Sequence, residues 1–444
     1  MMANIKEFFL MNIVIPVVDT IMGMKIKHWY KEINRLNSLS RDEITEWQNR
    51  KFRDLIRFAY EHTVYYKEVI DKSGYSIDDF TSTKDICRLP ILTKEIIRQR
   101  YSDIIPDNID KISHRKRSTG GSTGEPLHFI IDENTWGYVT AAKIYAWQTT
   151  GFHYGEPFLS FGSSSLFRVN KKNWLHDIYY KLRNAIALNG MNMEDSICRK
   201  YLEIARKKRV KYIYGYASSI YILASYVKKH NVKYKLNAVF TTSEVLTPEY
   251  RQMIEEAFDT KVMDCYGAHD GGITAFEIER GSYFVGYNTF CEVENPSKIS
   301  TLYCSNLIDF AFPMLRYEVG DAVVMDTTEN THYNGQIIKK IEGRSADIIR
   351  LKNGHVVTNP GFATLLRQFN IEAYQVLQSG DNNVCIKLKT TPDFKPEDEA
   401  KIIDTTKKYA GDDCEITIQY IDRFEPLENG KRRFIMSKRL NKSR

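Results

Sequence analysis

The feature that most restricts the fold of this chain is an alternation of strand and helix patterns between residues 158 and 266. Short runs rich in aromatic and β-branched residues predict strands, and the segments between them have apolar residues at helical spacing. The predicted strands are 158–161, 210–214, 235–241 and 261–266, and the predicted helices are 193–209, 218–229 and 248–258. Ser218 is placed to cap the second of these helices. The alternation predicts an α/β fold with a parallel sheet covered by helices, whose ligands bind where loops leave the carboxyl ends of the strands.

The rest of the chain predicts helices before this region and a smaller unit after it. Residues 41–72 have apolar residues at helical spacing and predict one long helix, and Thr93 is placed to cap another after a short extended link. Beyond residue 288 the sequence becomes strand-rich, and after Gly343 it changes to a small α+β pattern. Strands are predicted there near 373–378, 384–390 and 415–422, and a helix at 396–410. We therefore expect a large N-terminal domain of mixed, largely parallel sheets at 1–343 and a small α+β C-terminal domain at 344–444.

Composition limits the class of protein. The 444 residues are 43% hydrophobic and 27% charged, which is typical of a folded globular chain. The net charge of +7 arises from 63 basic and 56 acidic residues, so it permits an acidic ligand or a membrane surface and does not require nucleic acid. The seven cysteines are scattered singly, without a Cys-x-x-Cys pair. This usage predicts neither a disulfide framework nor a zinc finger, and it favours the reducing cytoplasm.

The N-terminal segment at residues 8–24 is mostly apolar but includes Asn12, Pro16 and Asp19. It is too short and too interrupted to predict a membrane span, and it lacks the small-residue cleavage site of a secretory signal. Two interpretations of residues 1–40 remain open. Either the segment packs on its own domain, or residues 8–31 lie on the inner face of a membrane, with apolar side chains in lipid and bases near headgroups.

A glycine-rich loop at residues 117–126 is a candidate phosphate site. Its glycines allow positive φ and expose backbone N–H groups, and its hydroxyls add donors without bulk, so the loop can form a nest for phosphate oxygens. The same residue types are also ordinary in solvated turns. Apolar residues follow the loop, which is therefore expected to lie between strands. Its candidate ligands are Ser118, Thr119, Gly120, Gly121, Ser122, Thr123 and Gly124. Glu125 stands where a P-loop requires lysine, which disfavours a P-loop kinase or ATPase.

Two predicted strand ends carry further polar residues. One loop contains Thr242, Ser243 and Glu244, and another begins at Tyr266-Gly267 and continues to His269 and Asp270. A carboxylate such as that of Asp270 can hold Mg²⁺ against phosphate oxygens. The alternative is an ordinary loop carboxylate, and His269 is by the same reasoning an ordinary loop histidine.

Three residues further along the chain suit nucleotide binding. Asp321, which follows Gly320, can accept hydrogen bonds from both hydroxyls of a ribose. Arg344 offers a fork of donors for ribose or phosphate, and Lys431 is a lysine in a Gly-Lys turn. The alternatives are a turn residue, a surface ion pair and a solvated lysine, respectively.

Taken in order, these stretches resemble the motifs of the adenylate-forming enzymes, the superfamily of acyl-CoA synthetases, luciferases and peptide-synthetase adenylation domains. The most similar branch is that of phenylacetate-CoA ligase and its relatives in capsular polysaccharide biosynthesis. Residues 117–126 resemble the phosphate-binding loop, and 266–270 resemble the Tyr-Gly-x-x-Glu motif. Residues 316–321 match Arg-Tyr-x-x-Gly-Asp, 343–347 match Gly-Arg-x-x-Asp, and 430–431 match the Gly-Lys of the catalytic lysine. The resemblance extends from about residue 45 to the C-terminus.

The resemblance implies a two-step reaction. A carboxylate attacks the α-phosphate of ATP to give an acyl-adenylate and pyrophosphate, and the thiol of CoA or an amine then attacks the adenylate. Asp270 with Mg²⁺ and Lys431 would stabilise the charge that develops on the phosphate oxygens. The small domain would rotate between the two steps, so that Lys431 serves the first one. The implied nucleotide-binding residues are those of the glycine-rich loop together with Ser243, Glu244, Tyr266, Gly267, Asp321 and Arg344.

The chain departs from the family pattern at two positions. Asp270 stands where the motif has glutamate, which shortens the Mg²⁺ ligand by one methylene. Ala346 stands at the expected hinge acid, which bears on the domain rotation and on the thioester step. Some relatives carry a zinc site after the Tyr-Gly motif, and none is expected here because only Cys291 is available in 276–294.

Two other functions remain open, and so does the formation of oligomers. The first is a nucleotide-binding or scaffold protein of a membrane-associated polysaccharide pathway that has lost turnover. In that case Lys431→Ala would leave the cellular phenotype intact. The second is a phosphotransferase, which would release ADP, whereas a ligase releases AMP. Neither the carboxylic acid nor the acyl acceptor can be read from the sequence.

Overall fold

The computed structural model of the protein describes residues 2–118, 127–162, 178, 180–190, 193, 195–268, 271–327, 333–344, 348–350, 356–358, 366, 369–379, 382–410, 414–422 and 435–438. The α-helices within these residues are α1 Met2–Phe9, α2 Ile15–Met22, α3 Ile26–Leu36, α4 Arg41–His62, α5 Val64–Ser73, α6 Lys94–Gln99, α7 Tyr101–Ile104, α8 Glu133–Gln148, α9 Asp195–Lys207, α10 Ala217–Lys229, α11 Pro248–Phe258 and α12 Pro396–Ala410. A π-helical segment, Leu10–Val14, joins α1 to α2, and short 3₁₀ turns occur at Ile77–Asp79, Thr83–Arg88 and Ile109–Lys111.

The strands form one large sheet and three small ones. They are β1 His114–Ser118, β2 His128–Asp132, β3 Phe158–Gly162, β4 Ala185–Asn189, β5 Tyr212–Tyr216, β6 Ala238–Thr242, β7 Lys261–Ala268, β8 Ile273–Glu279, β9 Ser282–Val285, β10 Thr289–Glu292, β11 Ser300–Asn306, β12 Tyr317–Met325, β13 Ile337–Arg344, β14 Ile348–Arg350, β15 Val356–Thr358, β16 Ile371–Ser379, β17 Asn383–Thr390, β18 Glu415–Tyr420 and β19 Ile435–Lys438. The large sheet has eleven strands in the order β10-β11-β12-β13-β9-β8-β7-β6-β5-β3-β4. The small sheets are β1-β2, β14-β15 and β18-β17-β16-β19.

The parallel sheet predicted from the alternating pattern is present in the large sheet. Strands β3 to β7 are parallel neighbours, whereas every strand from β8 to β13 pairs antiparallel. The fold class predicted from the sequence, an α/β fold with mixed sheets and a smaller C-terminal unit, is therefore confirmed.

Helices cover both faces of the parallel strands, because successive side chains of a strand point to opposite faces. In β6, Val239 is buried in a cluster that includes Ile220 of α10 and Ile254 of α11. The next residue, Phe240, faces α8 on the other side and stacks on Trp147 with ring centroids 4.3 Å apart. This two-sided burial fixes the strands whose carboxyl ends carry the candidate site.

A buried ion pair joins the parallel and antiparallel parts of the sheet. Nη2 of Arg251 in α11 donates to both carboxylate oxygens of Glu277 in β8, at 2.6 and 2.7 Å. The Glu277 carboxylate also accepts the backbone N–H groups of Asp264 in β7 and of Gly281. The side chains of Arg251 and Glu277 are only 9% and 4% exposed. One carboxylate therefore connects α11, β7 and β8 beside the predicted Tyr-Gly motif.

The long helix predicted at 41–72 is wrong in one respect, because it is two helices. Thr63 interrupts it with extended dihedral angles, φ −124° and ψ 141°. Its hydroxyl accepts a hydrogen bond from the N–H of Tyr66 and so caps α5. The predicted cap at Thr93 is confirmed, since its hydroxyl accepts from the N–H of Ile96 at the start of α6.

The small C-terminal sheet has its own apolar core, shared with α12. Val376 of β16 and Ile386 of β17 are fully buried together with Ile402 of α12. Strands β16, β17 and β18 and helix α12 match the predicted elements, whereas β19 was not predicted. β19 pairs in parallel with β16.

The N-terminal helices pack on α8 and β3, since Leu10 and Ile15 are buried in one cluster with Trp147 and Phe158. Within the described residues no single helix is long and apolar enough to cross a membrane, although the bent pair Ile5–Met22 and Ile26–Leu36, at 114° to each other, meets that criterion by length and composition together.

Candidate active site

The five parallel strands β3 to β7 end at the same edge of the large sheet, and β6 and β7 carry predicted site residues. Thr242 ends β6, and Ser243 follows it with a positive φ of 66°. The Glu244 carboxylate accepts the backbone N–H of Ser218 at 2.9 Å. The helix cap predicted at Ser218 is therefore wrong, because Tyr216 occupies the cap position of α10. Glu244 instead places its negative charge at the N-terminus of α10, where the helix dipole favours it.

The central feature of the site is a hydrogen bond between two predicted motifs. The hydroxyl of Tyr266 in β7 donates to Oδ2 of Asp321 in β12 at 2.5 Å. Three strands, β8, β9 and β13, separate β7 from β12 in the order of the sheet. In a flat sheet they would be about 19 Å apart. The sheet must therefore curve strongly, and this curvature brings together residues 55 positions apart in the sequence.

Two glycines permit this close approach. A Cβ on Gly271 would lie 3.1 Å from Cγ2 of Val319 in β12. Gly272 has a φ of +65°, and a Cβ there would lie 2.3 Å from Nδ2 of Asn306 at the end of β11. Side chains at these positions would separate the turn after β7 from β11 and β12. Close packing against β11 and β12 therefore explains the presence of glycine at both positions, independently of any ligand.

The electrostatic environment keeps the Tyr266 hydroxyl protonated. Burial, and then the neighbouring Asp321 carboxylate, raise the pKa of Tyr266 well above its ordinary value. A protonated phenol can donate only one hydrogen bond, and here it donates to Asp321. Tyr266 therefore orients one carboxylate oxygen of Asp321. Gly267, the next residue of β7, pairs with Thr274 of β8.

The other predicted ribose or phosphate residue, Arg344, lies next to Asp321 in the sheet. Arg344 is the last residue of β13 and is the register partner of Asp321 across the β12–β13 ladder. The structure thus brings Tyr266, Asp321 and the backbone of Arg344 to one place, as the resemblance implied. Their roles in nucleotide binding stay predictions.

The extended link before α6 supports the strand that carries Asp321. The backbone N–H and C=O of Leu92 bond to the C=O of Arg316 and the N–H of Glu318, at 3.1 and 3.0 Å. The Arg316 guanidinium donates to the carbonyls of Cys87 and Leu89. In this structure the arginine of the Arg-Tyr-x-x-Gly-Asp motif therefore fixes the backbone of the link.

Sequence reasoning missed one lysine near the site. Nζ of Lys94 donates to the carbonyl of Val319 at 3.3 Å. It lies 3.6 Å from the position that a Cβ on Gly320 would take, directly before Asp321. The sequence signal at Lys94 was only its position after the helix cap Thr93, which does not indicate proximity to a strand more than 200 residues away.

The glycine-rich loop connects β1 and β2 as predicted. The two strands are antiparallel, with Ser118 opposite His128. The guanidiniums of Arg115 and Arg117 in β1 lie 5.3 and 4.9 Å from the ring centre of Trp136. The Arg115 guanidinium also donates to both carboxylate oxygens of Glu133, which compensates its charge. Sequence reasoning assigned neither arginine a role.

Several predicted residues lie outside the part of the chain that the structure describes. They are Thr119, Gly120, Gly121, Ser122, Thr123, Gly124, Asp270, Ala346 and Lys431. Among the described residues, no group of three or more His, Cys, Asp or Glu side chains could hold a metal ion. The Mg²⁺ site predicted at Asp270 therefore stays a prediction.

A cavity of about 410 Å³ lies elsewhere, lined by residues that include Arg41, Glu292, Asp326 and Gln336. None of the predicted site residues lines it. We therefore do not assign it to the candidate active site.

Comparison with solved structures identifies the class of fold. A 2-hydroxyisobutyryl-CoA ligase in its postadenylation state superposes with a TM-score of 0.69 and 16% identity, over 91% of this chain and 92% of that one. At this level of identity the similarity establishes the fold, which is that of a CoA ligase of the adenylate-forming type.

Comparison of sequences then identifies the branch. The protein CapK of Staphylococcus aureus is 24% identical over 420 residues, 93% of this chain and 92% of that protein. A phenylacetate-coenzyme A ligase of Thermus thermophilus is 21% identical over 352 residues, 74% of this chain and 77% of that protein. The family model of the CapK C-terminal domain matches residues 349–438. Over most of its length this chain is therefore similar to CapK and the phenylacetate-CoA ligases, the branch of the adenylate-forming superfamily that its motifs resemble.

Proposed function

We propose that this protein is an AMP-forming ligase that activates a carboxylic acid with ATP as an acyl-adenylate and then transfers the acyl group to the thiol of CoA or to an amine. The observation that carries the proposal is the hydrogen bond from Tyr266 to Asp321. It joins two motifs of the superfamily at the edge of the sheet where α/β proteins bind their ligands.

Asp321 would bind the ribose of ATP. One of its oxygens accepts the Tyr266 hydroxyl, and a carboxylate has further lone pairs for the two ribose hydroxyls. Tyr266 would act as a positioning residue, because its hydrogen bond fixes the orientation of the carboxylate. Ser243, Glu244 and Gly267 lie at or beside the same sheet edge and would border the rest of the nucleoside.

The glycine-rich loop would hold the β- and γ-phosphates, with Arg117 on the strand that leads into it. Mg²⁺ prefers oxygen ligands, which the Asp270 carboxylate and the hydroxyls of the loop would supply. The ion would neutralise charge at the phosphates. Lys431 would donate to the oxygens of the α-phosphate, where negative charge develops during the first step.

We also propose that the chain divides into a large unit, 1–343, and a mobile small unit, 344–444, that carries Lys431. The division is supported by the end of β13 at Arg344 and by the separate core of the small sheet. Rotation of the small unit after the first step would remove Lys431 and admit the acceptor. With Ala346 at the hinge position, this rotation would have to proceed without the usual acidic side chain.

The proposal places the protein in the cytoplasm, in a pathway of cell-surface polysaccharide biosynthesis. The similarity to CapK over most of both chains supports this pathway. None of the seven cysteines forms a disulfide bond, as is usual in a reducing compartment. In such a pathway an amine on a sugar or on a carrier is an acceptor as suitable as CoA.

Asp321→Asn tests the ribose assignment. We expect the KM for ATP to rise about 10- to 100-fold, because the variant weakens hydrogen bonds to a charged group, which contribute about 1.5–3 kcal/mol each. Asp326→Asn is a matched control, since Asp326 follows β12 and pairs with Lys339. Equal effects of the two variants on the KM for ATP would contradict the assignment.

Product analysis tests the proposed reaction class. The purified protein, incubated with ATP, Mg²⁺, mixed carboxylic acids and hydroxylamine as an amine acceptor, should release pyrophosphate in the first step and AMP when the acceptor attacks the adenylate. Formation of ADP and a phosphorylated acid would identify a phosphotransferase instead. ATP binding without any nucleotide product across the mixture would favour the alternative of a scaffold protein that has lost turnover.

A further inference from the structure

The outward side of the N-terminal helices is predominantly apolar. Large apolar side chains between residues 5 and 22 are 42–68% exposed. They are Ile5, Phe8, Phe9, Ile13, Val17, Ile21 and Met22. At roughly 100 Å² each, these side chains present several hundred square ångströms of apolar surface, which equals or exceeds the largest patch of a typical soluble monomer, about 300–600 Å². We call these seven side chains the N-terminal apolar face.

The opposite side of the same helices is firmly attached to the protein. Leu10 and Ile15 are fully buried. The Glu7 carboxylate accepts hydrogen bonds from the side chain of Gln148 and the backbone N–H of Tyr154, at 2.5 and 3.1 Å. A Cβ on Gly137 of α8 would lie 1.5 Å from the carbonyl oxygen of Met24, so the backbones are in close contact. The apolar face is therefore held on a rigid support.

The two exposed polar side chains among residues 5–22 each donate a hydrogen bond to a carbonyl of their own helix. The Asn12 amide donates to the carbonyl of Phe8, and the Thr20 hydroxyl donates to the carbonyl of Pro16, both at 2.9 Å. Polar groups that bond to their own helix need no partner from outside, which suits a hydrocarbon environment. A protein partner would be expected to use such groups for hydrogen bonds across the interface.

The charged side chains of this segment are asymmetrically placed. The acidic Asp19 lies away from the apolar face, and the basic Lys27 lies at its edge. Asp19 points inward and accepts the backbone N–H groups of Ile26 and Lys27, at 2.6 and 2.9 Å. Nζ of Lys27 reaches Oδ1 of Asn12 at 3.1 Å, which puts an ammonium group at the border of the face. Lys25 and Lys31 are exposed nearby in the sequence. This arrangement complements an anionic surface.

We infer that the N-terminal apolar face lies in the interfacial region of an anionic lipid bilayer, with the helices parallel to the membrane plane and the lysines near the headgroups. Its area, its self-satisfied polar groups and its basic border all favour a lipid surface as the occupant. The inference does not depend on the proposed ligase activity.

Vesicle flotation tests the inference with the full chain. The vesicles are made of phosphatidylcholine alone or with 30% phosphatidylglycerol. We expect wild-type protein to float with both kinds of vesicle, and more strongly with the anionic vesicles.

Phe8→Gln combined with Ile21→Gln should lower the partition coefficient at least tenfold, since two large apolar groups no longer enter lipid. Lys27→Gln combined with Lys31→Gln should remove the preference for anionic vesicles and retain binding to neutral ones.

A matched control uses two exposed apolar residues outside the face. Val64→Gln combined with Ile222→Gln changes side chains that are 62% and 41% exposed, and it should bind vesicles as the wild type does. Thermal unfolding of each variant checks that the fold is intact, independently of activity. Wild-type protein that does not float would overturn the inference. Equal flotation of the Phe8→Gln, Ile21→Gln protein and the Val64→Gln, Ile222→Gln protein would overturn it as well. So would a wild-type dimer that Phe8→Gln and Ile21→Gln convert to a monomer without any lipid binding.

Discussion

Lys431→Ala is expected to slow formation of the acyl-adenylate by about 10²–10³-fold, the usual effect of removing one donor that stabilises transition-state charge. In the proposed reaction, negative charge develops on the phosphate oxygens as the carboxylate attacks. An ammonium group aimed at them stabilises this charge more than it stabilises bound ATP. The loss should therefore appear in kcat, with a small change in the KM for ATP. Single-turnover measurement of adenylate formation checks it.

Two controls make the Lys431 experiment specific. Lys401→Ala removes another lysine of the small unit, whose side chain is 60% exposed, and its rate should equal that of the wild type. Supplied with preformed acyl-adenylate, Lys431→Ala should still transfer the acyl group at the wild-type rate, because the proposed rotation would have removed Lys431 from the site by then. Adenylation by Lys431→Ala within a few-fold of wild type would contradict the assigned role, and an unchanged cellular phenotype as well would favour the scaffold alternative.

Arg251→Met is expected to lower the free energy of unfolding of the large unit by about 3–5 kcal/mol, because it leaves the buried Glu277 carboxylate without its countercharge. The backbone N–H groups of Asp264 and Gly281 would remain as partners of Glu277. They supply no formal charge, so the carboxylate stays inadequately compensated. Urea unfolding followed by tryptophan fluorescence measures this effect, because all five tryptophans precede residue 344.

The chain offers a matched exposed pair for comparison. Lys228 and Glu256 form an ion pair at 3.1 Å between α10 and α11, with both side chains 48% exposed. Lys228→Met should change the free energy of unfolding by at most about 1 kcal/mol. A second substitution, Glu277→Leu, in the Arg251→Met protein should restore part of the lost stability, since it removes the uncompensated charge. Equal effects of Arg251→Met and Lys228→Met would show that the buried pair does not hold α11 on the sheet.

The parts of the fold that sequence reasoning predicted are those set by local periodicity. Strand and helix patterns at 158–266 predicted β3, β5, β6 and β7 and the helices between them, because apolar spacing differs between the two structures. The interruption at Thr63 was missed, since the apolar spacing continues through it. The start of a new helix is marked by the extended dihedral angles of Thr63 and by its hydroxyl, which accepts a hydrogen bond from the N–H of Tyr66.

The contact between Tyr266 and Asp321 could not be derived from local patterns. It depends on the curvature of an eleven-stranded sheet and on the close approach of Gly272 to Asn306. The resemblance to a family grouped the two residues by motif, without a physical reason. Lys94 was missed on similar grounds, because no periodicity relates it to Val319.

The N-terminal segment shows a third kind of outcome. Sequence reasoning left packing and membrane contact as competing interpretations, since an amphipathic pattern does not reveal what covers its apolar side. The packing is confirmed by the buried Leu10 and Ile15. The same helices nonetheless leave Phe8 and Ile21 exposed on the other side, so the two interpretations are compatible.

The central claim, that the protein activates a carboxylate as an acyl-adenylate, is tested most directly by exchange of labelled pyrophosphate into ATP across a broad panel of carboxylic acids. The account predicts exchange that requires Mg²⁺ and a particular acid or group of related acids, and that Asp321→Asn and Lys431→Ala both weaken. Failure of every acid to support exchange by a protein that binds ATP would contradict it.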